Sequence, residues 1–413
     1  MLRGKLWRDG EFLKLWAGQG ISEIGSQVSM LALPTVAILV LGATPFQVGL
    51  LAACETLAFP VLGLVAGVYV DRLRRRPIMI ACDVGRLVAL VSVPVAFALG
   101  ALSMAQLYAV ALITGVGTVF FDIAYQSYLP ALITRSDLIE GNTKLQVTSS
   151  VAQMAGPALG GFLIQLLGPA RAVAADAASF LISVLSLIWI RRAEPSPAPA
   201  RESDRSGFFA EMGEGIQVVF GNPTIWKIAG STSTSNLASN LFFAVFLIFV
   251  YRVLHLSPGT VGVIFAAGAV GGLFGALTAT WIPRRIGLGP TLFVTILLGA
   301  LSLILVPLAQ YGFAIPLLFA SMFVSSFVNP VYNINQVSLR QAITPDRVQG
   351  RMNATVRTII WGTNPIGAFI GGIIGSTYGI VPALYVGIAV SLLAGFWILL
   401  GPIRLRVQPE AVS

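Results

Sequence analysis

The sequence predicts an all-α polytopic membrane protein, with twelve transmembrane helices in two six-helix repeats. Three observations carry this expectation. Charge is scarce, with 26 Lys/Arg and 17 Asp/Glu among 413 residues. Apolar runs of about 20 residues, the length needed to cross a bilayer core, recur twelve times. The two halves also share polar residues and loop motifs at a nearly constant offset.

Only 10% of the residues are charged and 56% are hydrophobic, against roughly 25% charged in a typical soluble domain. Mean hydropathy is +0.85. A chain of this kind cannot cover a water-facing surface, which excludes a soluble globule. Disorder is excluded too, because it requires low hydrophobicity and high charge. A transmembrane barrel alternates apolar and polar residues in segments of about ten, and the apolar runs here are twice that long. The first run is too long for a signal sequence and reads as a retained helix. The net charge of +9 follows from basic loops and does not call for nucleic acid. Cys54 and Cys82 lie inside apolar runs, and His255 is the one histidine. Metal clusters and histidine-activated nucleophiles are therefore not expected, and no cofactor motif is present. An enzyme embedded in the membrane is the least favoured class.

The runs lie near 12–41, 46–70, 78–99, 105–126, 143–167 and 171–190, then 225–250, 259–282, 290–310, 314–338, 352–377 and 381–402. Between the sixth and seventh stands one long polar stretch. It starts as a charged, Pro-rich linker around Glu194-Pro-Ser-Pro and continues over Phe208 to Phe220 as a candidate amphipathic helix on the membrane. The expected organisation is a six-helix bundle over 1–192, a cytoplasmic linker over 193–222 and a second bundle over 223–413. With the N-terminus inside, 24 of the 26 Lys/Arg fall in cytoplasmic segments or at cytoplasmic span ends, and only Arg171 and Arg252 lie outside. Both termini are therefore expected in the cytoplasm of a multi-pass bacterial plasma-membrane protein.

The repeat is visible residue by residue. Asp137 and Gly141 map onto Asp346 and Gly350 at an offset of 209, and Arg75-Arg76 maps onto Arg284-Arg285 at the same offset. Pro157 maps onto Pro365 at 208, and Lys14, Glu23 and Gln27 map onto Lys227, Asn236 and Asn240 at 213. Parallel repeats of this kind place a binding site near the midplane between the halves.

Two motifs carry more specific chemistry. Gly67, Asp71, Arg72, Arg75 and Arg76 close the second span and open the third, with Arg74 where a second glycine is usual. Topology explains the arginines but not the Gly-x-x-x-Asp. In the fifth span stands Gly156-Pro157-Ala-Leu-Gly160-Gly161, where proline kinks the helix and glycines allow close packing. On these residues the sequence resembles the major facilitator superfamily. The resemblance implies that Asp71 and its arginines gate the inner face, and that the Gly-Pro-x-x-Gly-Gly segment is an antiporter signature. Within the superfamily, Phe12 to Gln19, Gly25-Ser-Gln27-Val-Ser and the Asp137 and Asp346 loops resemble bacterial macrolide-efflux and enterobactin-type exporter proteins. One motif departs from the pattern. The Arg-x-x-Gln-Gly of many proton-coupled members becomes Ala111-Leu-Ile-Thr114-Gly115, so proton coupling has to use other residues.

Five carboxylates lie in apolar spans, all in the first half: Glu23, Glu55, Asp83, Asp122 and Asp176. Each costs roughly 2.5–3.5 kcal/mol at a helix centre and needs a partner, a proton or a cavity. Asp83 has Arg86 three residues on and reads as a structural pair. Asp176, near Arg171, reads as structural too. Glu23, Glu55 and Asp122 are the proton-coupling candidates. Gln19, Glu23, Ser26, Gln27 and Met30 share one face of the first span. Asn236 and Asn240 repeat that stripe in the seventh, and Asn329, Asn333 and Gln336 form another in the tenth. In the resembled fold these spans line the central cavity, so these residues are substrate-cavity candidates, with interhelical hydrogen bonding as the plainer alternative. Arg357 in the eleventh span is a further gate or anion-binding candidate.

No Gly-x-x-x-x-Gly-Lys-[Ser/Thr] loop is present, so ATP is not the direct energy source. The expected function is a secondary active transporter, specifically a proton-coupled exporter of small amphipathic organic molecules such as drugs, siderophores or secondary metabolites. It is expected to work as a monomer by alternating access. An importer, a lipid translocator of the same fold and a passive channel are the alternatives.

Overall fold

The computed structural model describes residues 5–194 and 204–401, with the side chains of Leu64, Val68, Asp71, Arg135, 204–212 and Asp346 outside the description. In the first half, helices run over Gly10–Thr35 (α1), Pro45–Arg72 (α2), Arg75–Ala98 (α3), Met104–Leu132 (α4), Leu138–Leu167 (α5) and Pro169–Trp189 (α6). Asp204–Gly221 (α7) follows, then Pro223–Ile248 (α8), Pro258–Thr278 (α9), Trp281–Ile286 (α10), Leu288–Leu303 (α11), Leu305–Leu308 (α12), Ala314–Ala342 (α13), Asp346–Thr377 (α14) and Ile380–Leu399 (α15). Twelve of the described helical segments are long and apolar enough to cross a membrane, and no strand occurs among the described residues. The protein is a multi-pass membrane protein.

Helix starts follow local chemistry. Asp9 accepts from the amides of Glu11 and Phe12 to open α1, and Asn222 accepts from those of Thr224 and Ile225 to open α8. Thr44 and Gln47 form a reciprocal capping box on α2, with Pro45 at the first helical position where its missing N–H costs nothing. The predicted ninth span is broken. Pro307 offers no N–H to the carbonyl of Leu303, and the segment divides into α11, α12 and a short turn over Ala309–Tyr311.

Of the described residues, 5–194 with Leu256–Val263 form one compact unit, and 204–255 with 264–401 form the other. In the first, α1 packs on α5 and α6, α3 packs on α4 and α6, and α2 packs on α4. In the second, α8 packs on α14 and α15, and α11 packs on α13 and α15. The pairings repeat, and so do finer details. α1 and α8 each have 26 residues and each ends in a five-residue π-helical segment, Val36–Val40 and Phe249–Val253. After each segment one residue adopts a left-handed backbone, Gly42 at φ +65° and His255 at φ +52°. His255 thus holds a conformation that glycine adopts at lower cost. Lys14 donates to the carbonyl of Trp189 and Lys227 to that of Leu400, each at 2.8 Å.

The α7 helix is tied to its own unit. Val219 is fully buried against Met352 and Val356 of α14. Glu214 pairs with Arg347 at 2.8 Å and also with Arg351.

Candidate transport site

The polar stripe of α1 faces α5. Ser149 Oγ donates to Glu23 Oε1 at 2.5 Å, and Gln153 donates to Ser149 at 3.0 Å. Gln27 packs where Gly156 leaves room, and Gly160 lies against Val28 and Leu31. The Gly-Pro-x-x-Gly-Gly segment therefore lets α5 approach α1 across the predicted stripe, with Pro157 buried between the two glycines. Gly161 faces the other way, onto Gly262 in the Leu256–Val263 segment of the same unit. Gln19 keeps a buried side-chain oxygen without a hydrogen bond.

Glu23 does not stand alone. Its charge and that of Asp122 both reach Tyr125 on α4, whose buried hydroxyl makes no hydrogen bond and whose ring stacks on Phe121 at 6.1 Å. Two of the three coupling candidates thus act on a tyrosine that the sequence does not single out. Glu55, the third, is exposed on α2. Its backbone carbonyl fits against Gly115 of α4, and its charge reaches Asp176. Asp176 itself is buried beside Ser179 and Ser29, whereas the expected neighbour Arg171 is exposed.

The second unit repeats the arrangement without charge. Asn240 donates to the carbonyl of Asn236 at 2.9 Å and to Asn364 Oδ1 of α14 at 3.1 Å. Gly367 is packed tightly against Leu237 and Asn240, as Gly156 is against Gln27. On α13, Asn329 and Asn333 are exposed while Gln336 is buried and donates to Asn333 at 2.9 Å. Asn335 points elsewhere and donates to the carbonyl of Ala279 at 2.8 Å.

The gating candidates separate. Asp71 lies outside the described side chains, and Arg72 is exposed. No described atom approaches the position of a side chain on Gly67. Arg75 and Arg76 are held at the start of α3. Their amides donate to Glu194 at 2.6 and 3.1 Å, so a carboxylate occupies the positive end of the helix. The Arg76 guanidinium donates to the carbonyls of Leu187 and Ile188, each at 2.7 Å, at the end of α6. Arg357 is exposed and lies over the Trp361 ring at 4.7 Å. Beside α5, the Thr134 hydroxyl and Lys5 hold the Asp137 carboxyl below the usual carboxylate range.

Among the described residues, no three His, Cys, Asp or Glu side chains converge as a metal site would require. A cavity of about 410 Å³ between α3 and α4 has an almost wholly apolar lining, including Cys82, Gly85 and Phe120, and holds none of the predicted site residues.

Comparison with known proteins adds three findings. The family model described as Major Facilitator Superfamily matches residues 15–360 and again 228–412. The chain is 25% identical over 375 residues to the multidrug efflux pump Tap of Mycolicibacterium fortuitum, covering 86% of this chain and 87% of that protein. It is also 25% identical over 390 residues to the enterobactin exporter EntS of Citrobacter koseri, covering 89% and 86%. Among solved structures, a bacterial homologue of the iron transporter ferroportin in an inward-facing state superposes with a TM-score of 0.76 at 18% identity, over 96% of this chain and 99% of that one. A bacterial homologue of the lysosomal transporter Spinster gives 0.73 at 15% identity, over 96% and 97%.

Proposed function

Because the chain belongs to the major facilitator superfamily, and is therefore a membrane transporter rather than an enzyme, we propose that it is a proton-coupled exporter of small amphipathic organic molecules. The direction is taken from relatives named as an efflux pump and an exporter. The coupling rests on one observation. Glu23 sits on a membrane-spanning helix, and its carboxylate accepts a hydrogen bond from Ser149 of α5. A carboxylate on a membrane-spanning helix that is held by a hydroxyl needs a partner, a proton or a cavity, and a proton is what an exporter of this kind exchanges. Alternating access then lets Glu23 load a proton from outside and release it inside, in exchange for an outgoing substrate. Gln19, Gln27, Asn236, Asn240, Asn329, Asn333 and Gln336 supply polar contacts to the substrate. Glu55 and Asp122 take part in proton movement, and Gly67, Asp71, Arg72 and Arg357 in closing the inner face. The protein works as a monomer, with both termini in the cytoplasm and six-helix bundles on either side of the 193–222 linker.

Everted membrane vesicles test this reading. A protonophore stops accumulation of an amphipathic dye or drug by the wild type, and Glu23→Gln lowers it at least tenfold at an equal amount of protein in the membrane. Transport that persists in both cases overturns proton coupling through Glu23. Fluxes at channel rates, or scrambling of labelled lipid, overturn the exporter reading itself.

A further inference from the structure

The first unit contains a second ionisable group that the reading above leaves unused. Asp83 and Arg86 on α3 and Asp176 on α6 are 0, 5 and 2% exposed. Arg86 donates to Asp83 Oδ1, and its guanidinium lies over the rings of Phe121 and Phe180 at 4.6 and 4.3 Å. Ser183 Oγ donates to Asp83 Oδ2 at 2.6 Å. Asp83 therefore has a cation on one oxygen and a donor on the other, which is how a buried carboxylate is kept charged.

Asp176 is served differently. Ser179 Oγ stands 2.7 Å from the backbone carbonyl of Asp176 and 3.1 Å from its Oδ1. A serine hydroxyl has one hydrogen to give. The shorter contact takes most of it, so the carboxyl receives only a shared, longer bond from Ser179. Ser29 Oγ on α1, 7% exposed, lies beside the same carboxyl. Both neighbours are neutral hydroxyls, whereas Asp83 has a guanidinium. Gly25 makes this approach possible, since a side chain there would run into Ser179 and the Asp176 carboxyl.

The charge count agrees. Two carboxylates and one guanidinium leave one negative charge in a space closed to water, and a buried carboxylate without its own cation takes up a proton instead. Helix α6 packs against α1, α3, α5 and the Val36–Val40 segment. Among the described residues, the charged groups that act on Asp176 are Arg86 and Asp83 from α3 and Glu55 from α2.

Building on the proton-exchange reading, we propose that Asp176 is a proton-binding residue, a carboxylic acid in the resting protein, while Asp83 stays ionised against Arg86.

Infrared difference spectroscopy across a pH range, on the full chain in lipid nanodiscs, tests the proposal. A carboxylic-acid carbonyl band is expected near neutral pH that shifts when the protein carries aspartate labelled with ¹³C at the side-chain carboxyl. This arm needs no mutation and therefore no assumption about folding. The band is lost in Asp176→Asn. It is also lost in Asp83→Asn, because Arg86 is then free to neutralise Asp176, an outcome that a purely packing role does not produce. A band that ignores the label, or survives Asp176→Asn, overturns the proposal. Efflux that continues without a proton gradient while the labelled band is present overturns proton-driven transport and leaves the Asp176 site standing.

Discussion

Ser149 and Tyr125 show what a single residue contributes here. The α1 stripe is legible in the sequence because Gln19, Glu23 and Gln27 recur at four-residue intervals. Its bonding partner is not legible, because Ser149 lies 126 residues away and no periodicity connects them. Tyr125 reads from sequence as one more aromatic in an apolar run, yet it joins the fields of Glu23 and Asp122. Asp176 was paired by proximity with Arg171, but the helix turns it toward Gly25 and Ser29. The clue available was the small-residue register, with Gly18 and Gly25 on α1 meeting Ser186 and Ser179 on α6. A prediction belongs to this scale. Gly25→Val overpacks the α1–α6 crossing and lowers stability by about 1–3 kcal/mol, read as a fall in the thermal unfolding midpoint in detergent. Gly67→Ala, which meets no described atom, stays within about 0.5 kcal/mol of the wild type.

Helix ends show what an element adds. Within a single helix, capping signals are local, so Asp9, Thr44 and Asn222 announce the starts they serve. Glu194 does not. It stands at the head of a Pro-rich stretch and reads as linker, while its carboxylate receives the first amides of α3 from 119 and 118 residues away. The same corner uses Arg76 to hold the last carbonyls of α6. The basic pair at the head of α3 thus ties two helix ends together, besides any part it takes in gating. Glu194→Gln removes the charge from this cap and weakens it by roughly 1–2 kcal/mol. Hydrogen–deuterium exchange is expected to quicken over the first turn of α3 and to stay unchanged at the start of α11. The α7 helix was expected on the membrane surface. Its Val219 and Glu214 contacts to α14 come from residues more than 120 positions further along the chain, which an amphipathic pattern cannot reveal.

At the scale of the molecule, the twelve spans and the duplication were legible because length, hydropathy and offset are properties of the chain itself. Hydropathy does not register a missing donor, which is why the break at Pro307 escaped it. The duplication has also been used unevenly. Helices α1 and α8 share their length, a side-chain cap and a left-handed turn beyond the π segment, but Glu23 and Gln27 become Asn236 and Asn240, and every intramembrane carboxylate belongs to the first half. The intramembrane carboxylates thus lie in one half, and neutral amides stand at the positions that match Glu23 and Gln27 in the other. The paired π-helical segments bear on how such a chain tolerates change in length. A π turn holds one residue more than the α turn it replaces, so it is a reserve where one residue can leave without altering what flanks it. Removing one residue from Val36–Val40 or from Phe249–Val253 is expected to leave a monodisperse, folded protein on size-exclusion chromatography. Removing one between Glu23 and Gln27 turns the rest of α1 by about 100°, sends the stripe away from α5, and is expected to abolish folding. The insertions and deletions that separate this chain from its relatives should accordingly collect at these two wide turns and spare the helices that lead into them.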